Sequence, residues 1–137
     1  MADLVDYRVS YGECIGFCTS VLTIDGSTIE LVQTSEHPPE PSRRFLGILA
    51  ADLVEEIDRA AAVVQVERLE RVYGEPDAHD EGAVTVRLHA SGGITAHSYS
   101  RGMPPDDLAA LDALLSPVVL GWIDGDPPPG AWFNEIP

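Results

Sequence analysis

The sequence contains no lysine. Its 8 basic side chains are all arginine, set against 23 aspartates and glutamates, for a formal net charge of −15. A chain this acidic repels phosphate backbones, so nucleic acid is not an expected partner; basic proteins, cationic ligands or metal ions are. The missing lysine, beside abundant alanine, aspartate, glycine and proline, points to a GC-rich bacterial genome.

Long apolar runs are missing too. No stretch approaches the ~18 consecutive apolar residues of a membrane-spanning helix. The start of the chain, Met1 to Asp6, has neither the basic nor the apolar region of a secretion signal. A cytoplasmic protein with no membrane partner is the expectation. There is no Gly-rich phosphate loop, no Gly-x-Ser-x-Gly elbow and no His-Glu-x-x-His, so no cofactor is expected. Ser, Cys and His side chains occur, but no spacing joins them into a triad. Cysteine is limited to 2 residues, Cys14 and Cys18.

What is present suits a single domain over residues 1–137. Hydrophobic residues make up 45% of the chain, and a chain of this length buries roughly two-thirds of its unfolded surface in one core. Tyr7, Val9 and Tyr11 alternate with Arg8 and Ser10, the pattern of a half-buried strand. Asp25-Gly26 lies between two alternating runs and predicts a tight hairpin. With those two residues as the turn, Ile24 pairs with Ser27, Leu22 with Ile29 and Ser20 with Leu31. Leu22, Ile24, Ile29 and Leu31 then share one face, and Val21, Thr23, Thr28, Glu30 and Val32 the other.

Beyond a Pro-containing loop over 34–44, Leu46, Leu49, Ala50, Leu53, Val54, Ile57, Ala61 and Val64 recur at helical steps and predict a long helix. Residues 65–73 fit either a continuation of it or an edge strand. A second hairpin follows: Val84, Val86 and Leu88 alternate, Ser91-Gly92-Gly93 turns, and Ile94 to Ser100 returns. Pro104, Pro105, Asp106 and Asp107 open a second helix. Its apolar stripe is Leu108, Leu111 and Leu115, and Ser116-Pro117 is its expected stop. From about residue 124 the tail is Pro-rich and extended, docked by Trp132 and Phe133. The order βββ-α-ββ-α predicts an α+β fold: a mainly antiparallel sheet of about five strands with two helices on one face.

Three groups of residues are candidates for chemistry. Cys14-x-Gly16-x-Cys18 suits a disulfide or redox pair, two soft ligands to a metal, or two small residues at a turn. On the second hairpin, a core face made of Val84, Val86, Leu88, Ile94 and Ala96 leaves Arg87, His89, His97 and Tyr99 together on the opposite face. Those groups bind anions or move protons near neutral pH, which makes them the candidate catalytic set. The acidic loop with Glu75, Asp77, His79, Asp80 and Glu81 offers carboxylates to a hard cation, without the spacing of an EF-hand.

The run Gly12-Glu13-Cys14-Ile15-Gly16-Phe17-Cys18, followed by a strand, Asp25-Gly26 and another strand, resembles a family of small bacterial domains of unknown function. In that family a Gly-x-Cys-x-Gly-x-Cys turn opens a hairpin. The resemblance spans about Tyr7 to Leu115, implies the same order of elements and gives Cys14, Gly16 and Cys18 a structural role. It carries no activity.

Composition and motifs together favour a non-catalytic binding or accessory protein for a basic protein partner, such as a toxin or enzyme that it regulates. The alternatives are a small enzyme or small-molecule binder using the Arg87, His89, His97 and Tyr99 face, and a thiol-redox or metal site at Cys14 and Cys18.

Overall fold

Alternation of inward and outward side chains dominates the fold. The computed structural model describes residues 3–10, 17–35, 42–74, 82–123 and 130–136. The strands are β1 (Asp3–Ser10), β2 (Phe17–Asp25), β3 (Thr28–Ser35), β4 (Arg43–Leu49), β5 (Ala83–Ala90), β6 (Gly93–Ser100) and β7 (Ala131–Ile136). Helix α1 (Ala51–Ala62) follows β4, and helix α2 (Asp106–Ile123) follows β6. The seven strands form one sheet in the order β6-β5-β1-β2-β3-β4-β7. Every neighbouring pair is antiparallel. The protein is α+β, as its sequence predicts, but with seven strands rather than about five.

One face of the sheet carries the core. Tyr7 and Val9 of β1, Leu22 of β2, Ile29 and Leu31 of β3, and Phe45 and Leu49 of β4 are buried with Val84, Val86 and Leu88 of β5. They form a single cluster with Ile57 and Ala61 of α1 and Leu108, Leu111 and Leu115 of α2. Each such side chain contributes about 1.5–3 kcal/mol by leaving water. Both helices therefore lie on this face. The opposite face, with Arg8, Thr23, Thr28, Arg44, Ile48, Arg87 and Trp132, is exposed.

The two strands beyond the expected five are β4 and β7. Leu46 to Leu49 belongs to β4, not to the long helix predicted from Leu46 onward; α1 starts at Ala51. Leu46 and Leu49 also fit a helical step, but Phe45 and Leu49 point into the core while Leu46 and Ile48 point out, the two-residue period of a strand. The tail supplies β7, which pairs with β4 along Leu49↔Ala131, Ile48↔Trp132 and Gly47↔Phe133. Its aromatics divide: Phe133 is buried, whereas Trp132 faces outward and is exposed.

Helix α2 does not stop at Pro117 but continues to Ile123. A proline inside a helix costs about 3 kcal/mol. Val118 and Val119, both fully buried, supply a comparable gain at about 1.5–3 kcal/mol each, so packing outweighs the breaker. Residues 65–73 form neither a continuation of α1, which ends at Ala62, nor a strand. A 3₁₀ turn spans Val66–Arg68, and Val72 then bridges Ser98 in parallel at the β6 edge.

The first hairpin turns on Gly26-Ser27, with Asp25 paired to Thr28, Ile24 to Ile29 and Leu22 to Leu31. This is a shift of two residues from the predicted register. Side chains alternate with period two, so the shift leaves every face assignment intact.

Gly47 is the strand position with least freedom. A Cβ built there would collide with the Trp132 carbonyl across the β4–β7 ladder. Gly47→Ala is expected to destabilise the protein by about 1–3 kcal/mol through overpacking. Urea unfolding of the variant, with its midpoint lowered and its slope unchanged, checks this.

Candidate functional site

The second hairpin decides where the candidate catalytic residues go. Ser91 and Gly92 form its two-residue turn, and Gly93, at φ +114°, already belongs to β6. Ala90 pairs with Gly93, His89 with Ile94, Arg87 with Ala96, Val86 with His97 and Val84 with Tyr99. The predicted three-residue turn is one residue longer, and a slip of one residue reverses every face of the returning strand. His97 and Tyr99 thus point into the core, at 3% and 0% exposure. Ile94 and Ala96, predicted inward, face solvent. Arg87 and His89 stay on the exposed face. The four residues do not converge.

His97 is held at both ring nitrogens. Nδ1 donates to the Glu70 carbonyl at 2.7 Å, since a carbonyl only accepts, and Nε2 then accepts from the Thr95 hydroxyl at 2.9 Å. With the Tyr73 amide donating to the Ser98 carbonyl and the Ser98 amide to the Arg71 carbonyl, His97 fastens the 70–73 segment to the β6 edge.

Tyr99 joins a buried polar cluster absent from the sequence-based expectations. Its hydroxyl donates to Asp112 Oδ1 at 2.6 Å, and the Tyr7 hydroxyl donates to the same oxygen at 2.8 Å. Tyr7, Tyr99 and Asp112 are all buried. Burial, the hydrogen bond to Asp112 and the adjacent Tyr7 push the Tyr99 hydroxyl far above the ordinary tyrosine range. Its role is therefore that of a fixed donor, not a proton shuttle at neutral pH. The signal for this cluster was in the sequence: Asp112 lies one residue beyond Leu111 and four beyond Leu108, so it sits on the helix stripe that must be buried.

On the exposed face, Arg87 Nε donates to Asp6 Oδ2 at 2.8 Å, and Nη2 forms an ion pair with the same oxygen. Asp6 is 6% exposed although it points away from the helices. This pair floors a cleft of about 320 Å³ lined by Asp6, Arg8, Val21, Thr85 and Arg87. His89 lies on the same face of β5.

Cys18 is buried in β2 and disulfide-bonded. Cys14, Gly12, Gly16 and the acidic loop from Glu75 to Glu81 lie outside the described residues. Among the described residues no group of three or more His, Cys, Asp or Glu side chains could hold a metal ion. Among the described residues no helix is long and apolar enough to cross a membrane. Comparison with known proteins finds no matching family model and no significant match among curated proteins.

Two measurements probe the buried cluster. Asp112→Ala leaves two buried hydroxyls without their acceptor, at about 1–3 kcal/mol each, so urea unfolding is expected to show a loss of at least ~2 kcal/mol. Alkaline titration probes Tyr99 separately. Above pH ~10 the unfolded chain ionises this tyrosine and the folded chain does not. Stability contributed by Tyr99 is full below that pH and falls by about 1.4 kcal/mol per pH unit above it. Tyr99→Phe is expected to make the decline of stability with pH shallower by that amount.

Proposed function

We propose that this protein is a non-catalytic binding protein whose uncovered sheet face docks a basic protein partner. The observation that carries the reading is an apolar patch at the β4–β7 end of that face. Ile48 and Trp132 are cross-strand partners, each 60% exposed, and Leu46 beside them is 41% exposed. Exposed tryptophan and branched aliphatic side chains side by side are what a protein interface presents, because burying them on contact releases the free energy that water denies.

The rim is polar. Thr28 is opposite Ile48, Glu30 is opposite Leu46, and Asp25 is opposite Thr28. An apolar centre inside a polar border is the usual anatomy of a contact surface. The charge of the chain selects the kind of partner. A second copy would bring another −15, whereas a basic protein is drawn in at long range. The separation of Arg87 and His89 from His97 and Tyr99 favours binding over catalysis as the use of this fold.

The test is titration of the intact protein against a panel of folded basic proteins, with acidic proteins of equal size as controls. A basic partner is expected to bind with an affinity that falls as salt rises. The double variant Ile48→Ser, Trp132→Ser should weaken that binding about tenfold or more without unfolding the chain, since both side chains are already solvated. Binding indifferent to salt, or untouched by the double variant, would overturn the reading.

A further inference from the structure

The β1–β2–β5 region of the exposed face, away from the apolar patch, has a different chemistry. We infer that the cleft bordered by Arg8, Val21, Thr85 and Arg87 is a binding site for a small monocarboxylate, with Arg8 as the residue that holds the carboxylate.

Arg8 is placed for this by the strand ladder. It stands opposite Val21 on β2 and Thr85 on β5, and so rises from the middle of the cleft with a neighbour on each side. It is exposed and, among the described residues, makes no ion pair. Two carboxylates of its face are already paired. Asp6 is bound by Arg87, and Glu30 is bound by Arg44, whose Nε donates at 2.7 Å. An unpaired guanidinium with its fork of donors free is the preferred receptor for a planar carboxylate, which it binds through two parallel hydrogen bonds.

Charge balance sets the class of ligand. Arg8 and Arg87 bring two positive charges to the cleft and Asp6 one negative charge. One excess positive charge is neutralised by one carboxylate. A doubly charged phosphate would leave a negative charge next to the buried Asp6, which is penalised where water is partly excluded. Arg87 uses Nε and Nη2 on Asp6, so its remaining nitrogen adds a second donor at the cleft wall. Val21 and the methyl group of Thr85 offer apolar surface to the body of the acid. The volume, about 320 Å³, lies at the small end of ligand sites, so the ligand is small. The net charge of the chain does not forbid this, because at physiological salt exposed charges beyond about 8 Å are largely screened and the local excess prevails.

The experiment follows the Arg8 Nε–H resonance of the ¹⁵N-labelled intact protein during titration with benzoate, with its neutral isostere benzamide, and with inorganic phosphate. Benzoate is expected to give a saturating shift, benzamide none, and phosphate weaker binding than benzoate. Arg8→Gln should weaken benzoate binding, read on the backbone amides of Val21 and Thr85, about tenfold. Arg68→Gln, on the 3₁₀ turn away from the sheet face, should leave it unchanged. Benzamide binding as well as benzoate, phosphate binding more tightly, or Arg8→Gln binding like the parent would each overturn the inference. The benzoate–benzamide comparison uses the unaltered chain, so it decides even where a variant folds poorly. The double variant at Ile48 and Trp132 should bind benzoate normally, which separates this site from the docking patch.

Discussion

One carboxylate oxygen organises the interior. Asp112 Oδ1 receives the hydroxyls of Tyr7 from β1 and Tyr99 from β6, and so ties helix α2 to two strands that are separated by β5. An ionised carboxylate is costly to bury unless its hydrogen bonds are satisfied. Two short donors meet that requirement in only one arrangement. Tyr7 and Tyr99 must both point at the helix-covered face, which fixes the parity of β1 and β6 together. The parity of β6 then carries His97 inward with Tyr99 and leaves Arg87 and His89, on β5, outward. The separation of His97 and Tyr99 from Arg87 and His89 is thus a consequence of how α2 is anchored.

That anchoring makes the two faces of the sheet unequal. The inner face is used up by packing, since it holds the core side chains and the Asp112 cluster. Among the described residues the outer face has no helix over it, and it carries two ion pairs, Asp6 with Arg87 and Glu30 with Arg44. Of the two, the solvent-open Glu30–Arg44 pair contributes only about 0–1 kcal/mol to stability. The more important effect of both pairs is on what remains. They neutralise their own neighbourhood, leaving an apolar patch at Ile48 and Trp132 and one unpaired guanidinium at Arg8.

How much of this could be read from the sequence is a question of parity. The first hairpin was predicted two residues out of register, yet Leu22, Ile29 and Leu31 landed on the correct face because two is the side-chain period. In the second hairpin the sequence-based register is one residue out, so Arg87, His89, His97 and Tyr99 are divided between the two faces. Glycine caused the difference: Ser91-Gly92-Gly93 offers two ways to turn, and nothing local states that Gly93 belongs to the strand. The β4 segment was lost for a related reason. Leu46, Leu49, Leu53 and Ile57 satisfy a helical step across the strand–helix boundary, although Phe45 and Gly47 fit only a strand that must accommodate β7. That strand arrives from the far end of the chain, and pairing at such separation leaves no local pattern. Asp112 was legible in principle, as an acid on an apolar stripe, but its partners were not, because Tyr7 lies 105 residues away.

The distribution of charge reconciles the two binding proposals. The exposed carboxylates of α1, Asp52, Glu55, Glu56 and Asp58, face only Arg59 among the bases on that helix, and α2 adds Asp106 and Asp107. Among the described residues the helix side is therefore acidic, while the sheet face is close to balanced and carries three of the arginines, Arg8, Arg44 and Arg87. A basic partner of the kind proposed would be steered on approach by the net charge of −15. At contact, the proposed docking on Ile48 and Trp132 would rest on apolar burial, which governs the dissociation rate more than charge does. A small acid is too close to Arg8 for the helix side to repel it through screened solvent. Long-range attraction of a basic protein and short-range capture of a carboxylate are therefore compatible on one chain, because the first follows the net charge and the second the local charge beside Arg8.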